Sequence, residues 1–300
     1  MKAALTTLGC KVNHYETEAM RELFLADGWE IVAFSEPADV YVVNTCTVTQ
    51  TSDTKSRQMI ARAHRMNPSA LVVAVGCYAQ VSPESVAALD GVGLVLGTSG
   101  RKEIVPRVHE ALSARTTETY IQPITEQREF EPFSAVRDSR TRATLKIQDG
   151  CVNFCSYCII PYARGPLRSR PLDEISHEVS LLADEGYREI VLTGIHLASY
   201  GHDLAGQGLA LLDAIRAASE PAGIERIRLG SIEPLFVTEP VAKALAENPK
   251  ICRQFHLSLQ SGSNPVLRRM NRHYTAEEYL HSLDLLRMHM PDCAITTELL

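Results

Sequence analysis

"ATLKIQDGCVNFCSYC" occupies residues 143–158. The stretch 143–149 reads as a strand, and Gly150 opens a loop holding Cys151, Cys155 and Cys158. In folds that alternate strands and helices, the loop after a strand is the ligand-binding edge. This spacing lets one short loop present three thiolates to a common centre, which suits iron–sulfur or zinc chemistry. Structural zinc takes four closed ligands, and the paired Cys-x-x-Cys partners are missing here. An iron–sulfur cluster held by three cysteines instead leaves one iron open for a substrate or cofactor. The bland alternative is three small buried hydrophobes. Gly150, Asn153 and Ser156 are poor neighbours for that role. Tyr157, between the last two cysteines, is placed to pack over a cofactor.

Downstream, strands are expected at 188–194, 226–232, 253–260 and 293–300, with helices at 172–186, 208–219, 238–247 and 275–289. Pro240 suits a first helical turn, and Thr275 ahead of Glu277 and Glu278 suits a helix start. Counting 143–149, five strand–helix units follow in order, the pattern of a barrel or a large open parallel sheet. The chain stops at Leu300 inside an apolar run, so a further segment is expected to close the fold.

Upstream, the stretches 3–9, 39–45, 70–76 and 91–97 read as strands. Helical patterns fill 13–29, 51–68 and 102–114, with Pro106 a caution against one straight helix in the last. This predicts a Rossmann-like, mostly parallel sheet with helices on both faces. Residues 114–142 lack a clean period and read as a connector, with a short strand expected at 119–124. The expected organisation is an α/β domain over 1–113, the connector over 114–142 and a β/α barrel domain over 143–300.

The other cysteines follow the strands. Cys10, Cys46 and Cys77 each fall directly after one of the first three predicted strands, at one edge of one sheet if those strands are parallel. Gly9 and Gly76 would let backbone approach a bulky centre closely. That placement predicts a second three-cysteine site. Cys252 and Cys293 precede predicted strands and are expected to be core residues. Eight cysteines in 300 residues are too sparse for a disulfide scaffold. The formal charge of −6 argues mildly against bulk nucleic-acid binding, without excluding a local basic path. No leader is visible and there is no run of 18 apolar residues, so a membrane span is not expected and the cytoplasm is the default location.

On these residues the chain resembles the radical S-adenosylmethionine enzymes, through the C-x₃-C-x₂-C loop, and within them the methylthiotransferases, through Cys10, Cys46 and Cys77. The segments "TLGCKVNHYETE" and "LKIQDGCVNFCSYCIIPYARGPLRSR" are most similar to the branch acting on threonylcarbamoyladenosine at position 37 of tRNA. Other branches typically carry Gln-Met or Pro-Lys where this chain has Lys11–Val12. The resemblance implies a (β/α)6 partial barrel lacking its last strand here, and a small RNA-binding β-barrel domain beyond residue 300. It implies two [4Fe-4S] clusters, with the cysteines at 151, 155 and 158 binding S-adenosylmethionine and those at 10, 46 and 77 carrying or supplying sulfur. One S-adenosylmethionine methylates the sulfur. A second yields a 5′-deoxyadenosyl radical that takes hydrogen from C2 of the adenine, and a 2-methylthio group results. The implied partners are a tRNA anticodon loop presenting A37 and an electron donor such as flavodoxin or ferredoxin. The sulfur source is not readable.

The resemblance also places cofactor contacts at Ser231, Glu233, Gln260, Ser261, Ser263 and Arg272, with Arg272 suited to a carboxylate. The serines are equally suited to capping turns, and Arg272 to the surface. Glu298 is left outside the site. Arg137, Arg140, Arg142, Lys146, Arg164, Arg168 and Arg170 flank the cysteine loop and are expected to form a path for phosphate contacts. Alternative readings are thiomethylation of a ribosomal-protein aspartate or of isopentenyladenosine-37. Outside the family, the alternatives are a non-catalytic iron–sulfur electron carrier, with His196 or His256 as fourth ligands, and a zinc-stabilised RNA-binding module.

Overall fold

The computed structural model describes residues 1–114, 116–134, 141–204, 208 and 210–300. The chain divides into two compact units, the first made of Met1–Gln127 with a later piece, Ile159–Gly165, and the second built mainly from Pro166–Leu300 and the cysteine loop up to Cys158.

The first unit is a six-stranded parallel sheet. Its strands are β1 (Lys2–Thr7), β2 (Glu30–Ile31), β3 (Val40–Thr45), β4 (Leu71–Gly76), β5 (Val92–Leu96) and β6 (Glu118–Tyr120), in the order β2-β1-β3-β4-β5-β6. Every neighbouring pair is parallel. The Val/Ala/Leu-rich strands are buried on both faces, as parallel strands covered by helices must be. One face packs Met20 and Phe24 of α1 (Lys11–Ala26) against Val40, Val42 and Val73. The other packs Ile60 and Ala63 of α2 (Gln50–Met66) against Tyr41 and Val72. Short helices α3 (Cys77–Val81) and α4 (Pro83–Ala87), missed by periodicity because each is only five residues long, follow β4. In α5 (Ile104–Ser113) Pro106 lies in the first turn, where its missing N–H costs little, so the helix is not broken. The expected strand at 119–124 is β6, shorter and one residue earlier. The fragment Ile159–Gly165 carries α6 (Ile160–Arg164).

In the second unit the strands expected from sequence are all parallel and pair in chain order. β7 (Arg142–Lys146) pairs with β10 (Glu189–Thr193), which pairs with β11 (Arg226–Leu229). β12 (Ser231–Ile232) pairs with β13 (Gln254–Leu257), and β13 with β14 (Ala294–Thr296). Gly230 divides the expected strand 226–232 in two; a side chain there would stand 3.2 Å from the Leu192 carbonyl. A single parallel bridge between Ile227 and Ile251 links the two sheets. The residues Gln148–Asp149, expected to continue the first strand, form a separate strand β8. It pairs antiparallel with β9 (Arg168–Ser169), which the sequence did not reveal. The unit is thus a parallel β/α array with one antiparallel pair. Among the described residues β7 and β14 are outer strands, and closure into a barrel is not part of the pairing. Helices α7 (Leu172–Asp184), α8 (Leu211–Ser219), α9 (Glu239–Glu247) and α11 (Ala276–His289) match the expected ones, and α10 (Asn264–Arg269) is additional. Thr275 caps α11 in a reciprocal box with Glu278. No helix among the described residues is long and apolar enough to cross a membrane.

Candidate functional site

Cys46 and Cys77 follow β3 and β4 directly and Cys10 lies three residues past the end of β1, and these three strands are adjacent and parallel. Parallel pairing therefore delivers three thiols to one edge. Gly9 (φ +96°) and Gly76 (φ +101°) make the approach possible. A Cβ on Gly9 would stand 2.7 Å from Cys46 Sγ, and one on Gly76 would stand 2.3 Å from Asn44 Oδ1. Cys10 is exposed, whereas Cys46 and Cys77 are buried, and all are free thiols. Burial pushes the Cys77 thiol up to about 11; Arg164 opposes that shift, and Cys10 and Glu16 reinforce it.

Beneath the thiols is a buried polar cluster. Arg164 donates to Glu16 Oε1 at 2.7 Å, Glu16 Oε2 at 2.9 Å and Asn13 Oδ1 at 2.6 Å. Arg101 also pairs with Glu16, and with Glu131 at 3.1 Å. Asn13 Nδ2 donates to the carbonyls of Leu8 and Thr45, and Cys10 Sγ donates to Asn13 Oδ1 over 3.8 Å. One side chain thereby ties the ends of β1 and β3. Asn13 and Glu16 were missed in the sequence. The available signal was their spacing with Met20 and Phe24, which puts two polar residues on the buried stripe of α1.

The second cysteine loop follows β8, whose first residue, Gln148, is fully buried. Its amide donates to the carbonyls of Asp149 and Gly150 and accepts from His196 N at 2.8 Å, fixing the loop against the end of β10. The non-glycine residues with positive φ among those described are Phe154, Gln260 and Asn271. Left-handed backbone of this kind is costly and marks functional loops. Asn271 donates to the carbonyls of Asn153 and Phe154, and Ser156 N donates to Met270 O, so the loop is clamped by the segment after α10. Arg272 donates to Cys155 Sγ at 3.4 Å and pairs with Glu233 at 3.0 Å, and Glu233 pairs with His196 at 3.2 Å. Cys155 is buried, with Cys151 and Cys158 half-buried. Burial pushes the Cys151 thiol up to about 11, and Cys158 and Cys155 add to the shift. Burial likewise raises the Tyr157 hydroxyl to about 12 against the pull of Arg272.

The family model described as "Uncharacterized protein family UPF0004" matches residues 2–97, and that of the "Radical SAM superfamily" matches residues 145–300. The chain is 45% identical to the threonylcarbamoyladenosine tRNA methylthiotransferase MtaB of Bacillus subtilis, over 99% of this chain and 66% of that one. It is 42% identical to the protein of the same name from Aquifex aeolicus, over 100% of this chain and 73% of that one. The chain belongs to the radical S-adenosylmethionine tRNA methylthiotransferase family. It spans about two thirds of the length of these curated relatives: 66% of one and 73% of the other. Among solved structures it resembles the radical S-adenosylmethionine methyltransferase TsrM from Kitasatospora setae, with a TM-score of 0.66 at 17% identity, covering 99% of this chain and 67% of that chain. At that identity the likeness is one of fold.

Several residues are placed differently from their sequence reading. Arg164, Arg168, Arg170 and Lys146 are all buried, so they do not form a surface path. Lys146 and Arg168 pair with Asp149, and Arg170 pairs with Glu178. Burial of a charge demands a partner, and the local acids supply it. Arg142 is exposed, whereas Arg137 and Arg140 lie outside the described residues. Cys252 and Cys293, expected in the core, are part-exposed. Ser231 and Ser263 are exposed and Ser261 half-exposed; Ser263 occupies the N-cap of α10 but makes no side-chain cap bond. Gln260 donates from Nε2 to Glu298 Oε1 at 2.8 Å, and Glu298 also meets His256, so a residue left out of the site is joined to it.

The free thiols of both triplets have the donor chemistry that iron–sulfur centres take. Each loop edge offers three free thiols, with Arg164 beside one set and Arg272 beside the other. Among the described residues no three ligating side chains group as they would around one metal ion. A four-iron cluster spreads its thiolates over separate irons, so its ligands stand further apart than those of a single zinc ion.

Proposed function

We propose that the whole protein transfers a methylthio group to C2 of N6-threonylcarbamoyladenosine at position 37 of tRNA, using two [4Fe-4S] clusters and S-adenosylmethionine. The observation that carries this reading is the placement of Cys10, Cys46 and Cys77 at the ends of three adjacent parallel strands. It adds a second thiol triplet to the radical-SAM loop, as a sulfur-inserting enzyme requires. The names of the relatives at 45% and 42% identity support the choice of substrate. The tRNA-2-methylthio-N(6)-dimethylallyladenosine synthase of Thermotoga petrophila is 35% identical, and it makes dimethylallyladenosine the second reading.

In this reading 1–113 is the methylthiotransferase domain, 114–142 the connector and 143–300 the partial barrel. Cys151, Cys155 and Cys158 hold one cluster, and Cys10, Cys46 and Cys77 the other. When bound, these groups and S-adenosylmethionine supply radical and sulfur chemistry at an aromatic C–H that no side-chain base can deprotonate. The chain's own residues prepare the site. Arg272 holds the Cys155 sulfur while its other edge is fixed by Glu233. His196 fixes Glu233 in turn and has its own ring held by Ser199. Gln260, Ser261, Ser263, Ser231 and Tyr157 are assigned to the cofactor as further polar contacts in this reading. An electron donor such as flavodoxin or ferredoxin supplies the reducing equivalents, and the reaction takes place in the cytoplasm.

Anaerobic reconstitution of the full-length protein tests the proposal. Iron and sulfide counts for two clusters, S-adenosylmethionine cleavage, and a 2-methylthio mass shift on tRNA fragments bearing threonylcarbamoyladenosine-37 are expected. A shift only on dimethylallyladenosine, or on a ribosomal-protein aspartate, would overturn the substrate assignment.

A further inference from the structure

Two arginines are wholly buried in the first unit, Arg101 and Arg164, and both meet Glu16. Glu16 is also wholly buried and takes both guanidiniums, while Arg101 has Glu131 as a second carboxylate. The geometry shows what else Arg164 faces. It lies near enough to Cys77 to oppose the upward push of burial on that thiol. Through Asn13 Oδ1, at 2.6 Å, it shares an acceptor with Cys10. One fixed positive charge therefore serves two of the three thiols at this edge. Arg164 is held there by a fork on Glu16, so its position does not depend on the thiols.

A four-iron core held by three thiolates is anionic, and one-electron reduction makes it more so. Nearby charge and hydrogen bonds to the sulfurs set the potential of such a cluster. A permanent cation stabilises the reduced form more than the oxidised form. We infer that Arg164 is a positioning residue that raises the reduction potential of the cluster held by Cys10, Cys46 and Cys77, and that Glu16 opposes it. The inference rests on the function proposed above.

The test uses the full-length protein with Cys151, Cys155 and Cys158 all replaced by alanine, so that a single cluster is loaded. Iron and sulfide are counted after anaerobic reconstitution, and the midpoint potential is read by electron paramagnetic resonance during a dithionite titration. Arg164→Gln shifts the midpoint to a more negative value, Glu16→Gln shifts it to a more positive one, and Arg164→Lys stays close to the parent. A purely structural role predicts lower melting temperatures for both glutamine variants and no opposite shifts in potential. Shifts of the same sign, or none, overturn the inference. If Arg164→Gln does not fold, an unshifted Glu16→Gln overturns it alone. A parent protein that retains no iron overturns the second-cluster proposal itself, and is distinguishable from a loaded parent whose potential ignores residue 164.

Discussion

Arg272 donates a hydrogen bond to Cys155 Sγ across 3.4 Å, joining two residues 117 positions apart in the chain. The same guanidinium holds Glu233 at 3.0 Å. Arg272→Ala would leave Glu233 mostly buried with His196 as its remaining named partner, so a loss of about 1–3 kcal/mol is expected in denaturant unfolding of the metal-free protein. Arg272→Lys should recover only part of this, because a single ammonium cannot reproduce the planar fork. Equal stability of all three proteins would remove Arg272 from the loop's support.

The buried arginines lead to a prediction opposite to the one their clustering in sequence invites. Arg168 pairs with Asp149 and Arg170 with Glu178, all four largely buried. Replacing Arg170 by alanine takes the guanidinium from buried Glu178, at an expected cost of about 3–5 kcal/mol, whereas Arg168→Ala leaves Lys146 on Asp149 and should cost less, about 1–3 kcal/mol. Arg142→Ala, at an exposed site, should change stability by less than about 0.5 kcal/mol. Urea midpoints for the three variants decide the matter; unchanged midpoints for Arg168→Ala and Arg170→Ala would return these residues to a surface role.

Gly76→Ala combines two penalties. Its φ of +101° with ψ −157° is a region that L side chains rarely enter, and the new methyl would meet Asn44 Oδ1 and the Thr45 carbonyl. About 1–3 kcal/mol of destabilisation is expected from the backbone alone. Because Thr45 precedes Cys46, the same change should lower iron retained at the first triplet. Gly186→Ala is a fitting control: its φ is +95° with nothing within 4 Å, so it should lose stability without losing iron.

How much of this was legible in the sequence depends on which interactions were local. The strands β1, β3, β4 and β5 and the placement of Cys10, Cys46 and Cys77 follow from apolar runs ended by glycine or threonine, and the structure keeps them within a residue or two, whereas the two-residue β2 carries no such signal. Gly230 reads as one residue of a seven-residue strand, and only the nearby Leu192 carbonyl explains the break. β9 is two residues long and carries no periodic signal; it exists because Arg168 and Ser169 find Asp149 and Asp203. Arg164 resembles any surface arginine until Glu16, 148 positions earlier, is brought to it. Charges that are buried because of a distant partner are the part that composition and spacing do not show.

The acid limb of stability should carry the signature of Glu189. Burial alone would raise its carboxyl, but hydrogen bonds from Arg228 at 2.8 Å and Arg226 at 3.0 Å hold it below the usual range. A depressed folded value means the contribution is complete above the ordinary glutamate pKa of about 4.3 and is lost as pH falls through the lower folded value. Glu189→Gln should therefore cost on the order of 1 kcal/mol at pH 7 and lose less than the parent between pH 5 and pH 3, at roughly the span over which such groups titrate. Parallel curves of stability against pH would show that the three-way contact contributes nothing.

The two cysteine triplets belong to different sheets, and their separate loss should separate two steps. Cys155 is buried, bonded to Arg272 and set in a loop fixed by Gln148 and Asn271. Cys46 is buried at the end of β3, where its backbone N–H is held by Ser56. On the proposed function, Cys155→Ala removes a ligand at the site that binds S-adenosylmethionine, and should abolish both 5′-deoxyadenosine and thiomethylated tRNA. Cys46→Ala should abolish the tRNA product while retaining measurable 5′-deoxyadenosine, since the loop at 150–158 keeps every contact named above. Both variants exchange a thiol for a methyl group without adding volume, so folding can be confirmed by circular dichroism before chemistry is assayed. The measurement is 5′-deoxyadenosine and modified nucleoside quantified by mass spectrometry from one anaerobic reaction. A folded Cys46→Ala protein that carries iron at the 151/155/158 site yet cleaves no S-adenosylmethionine would contradict the division of labour between the two sheets.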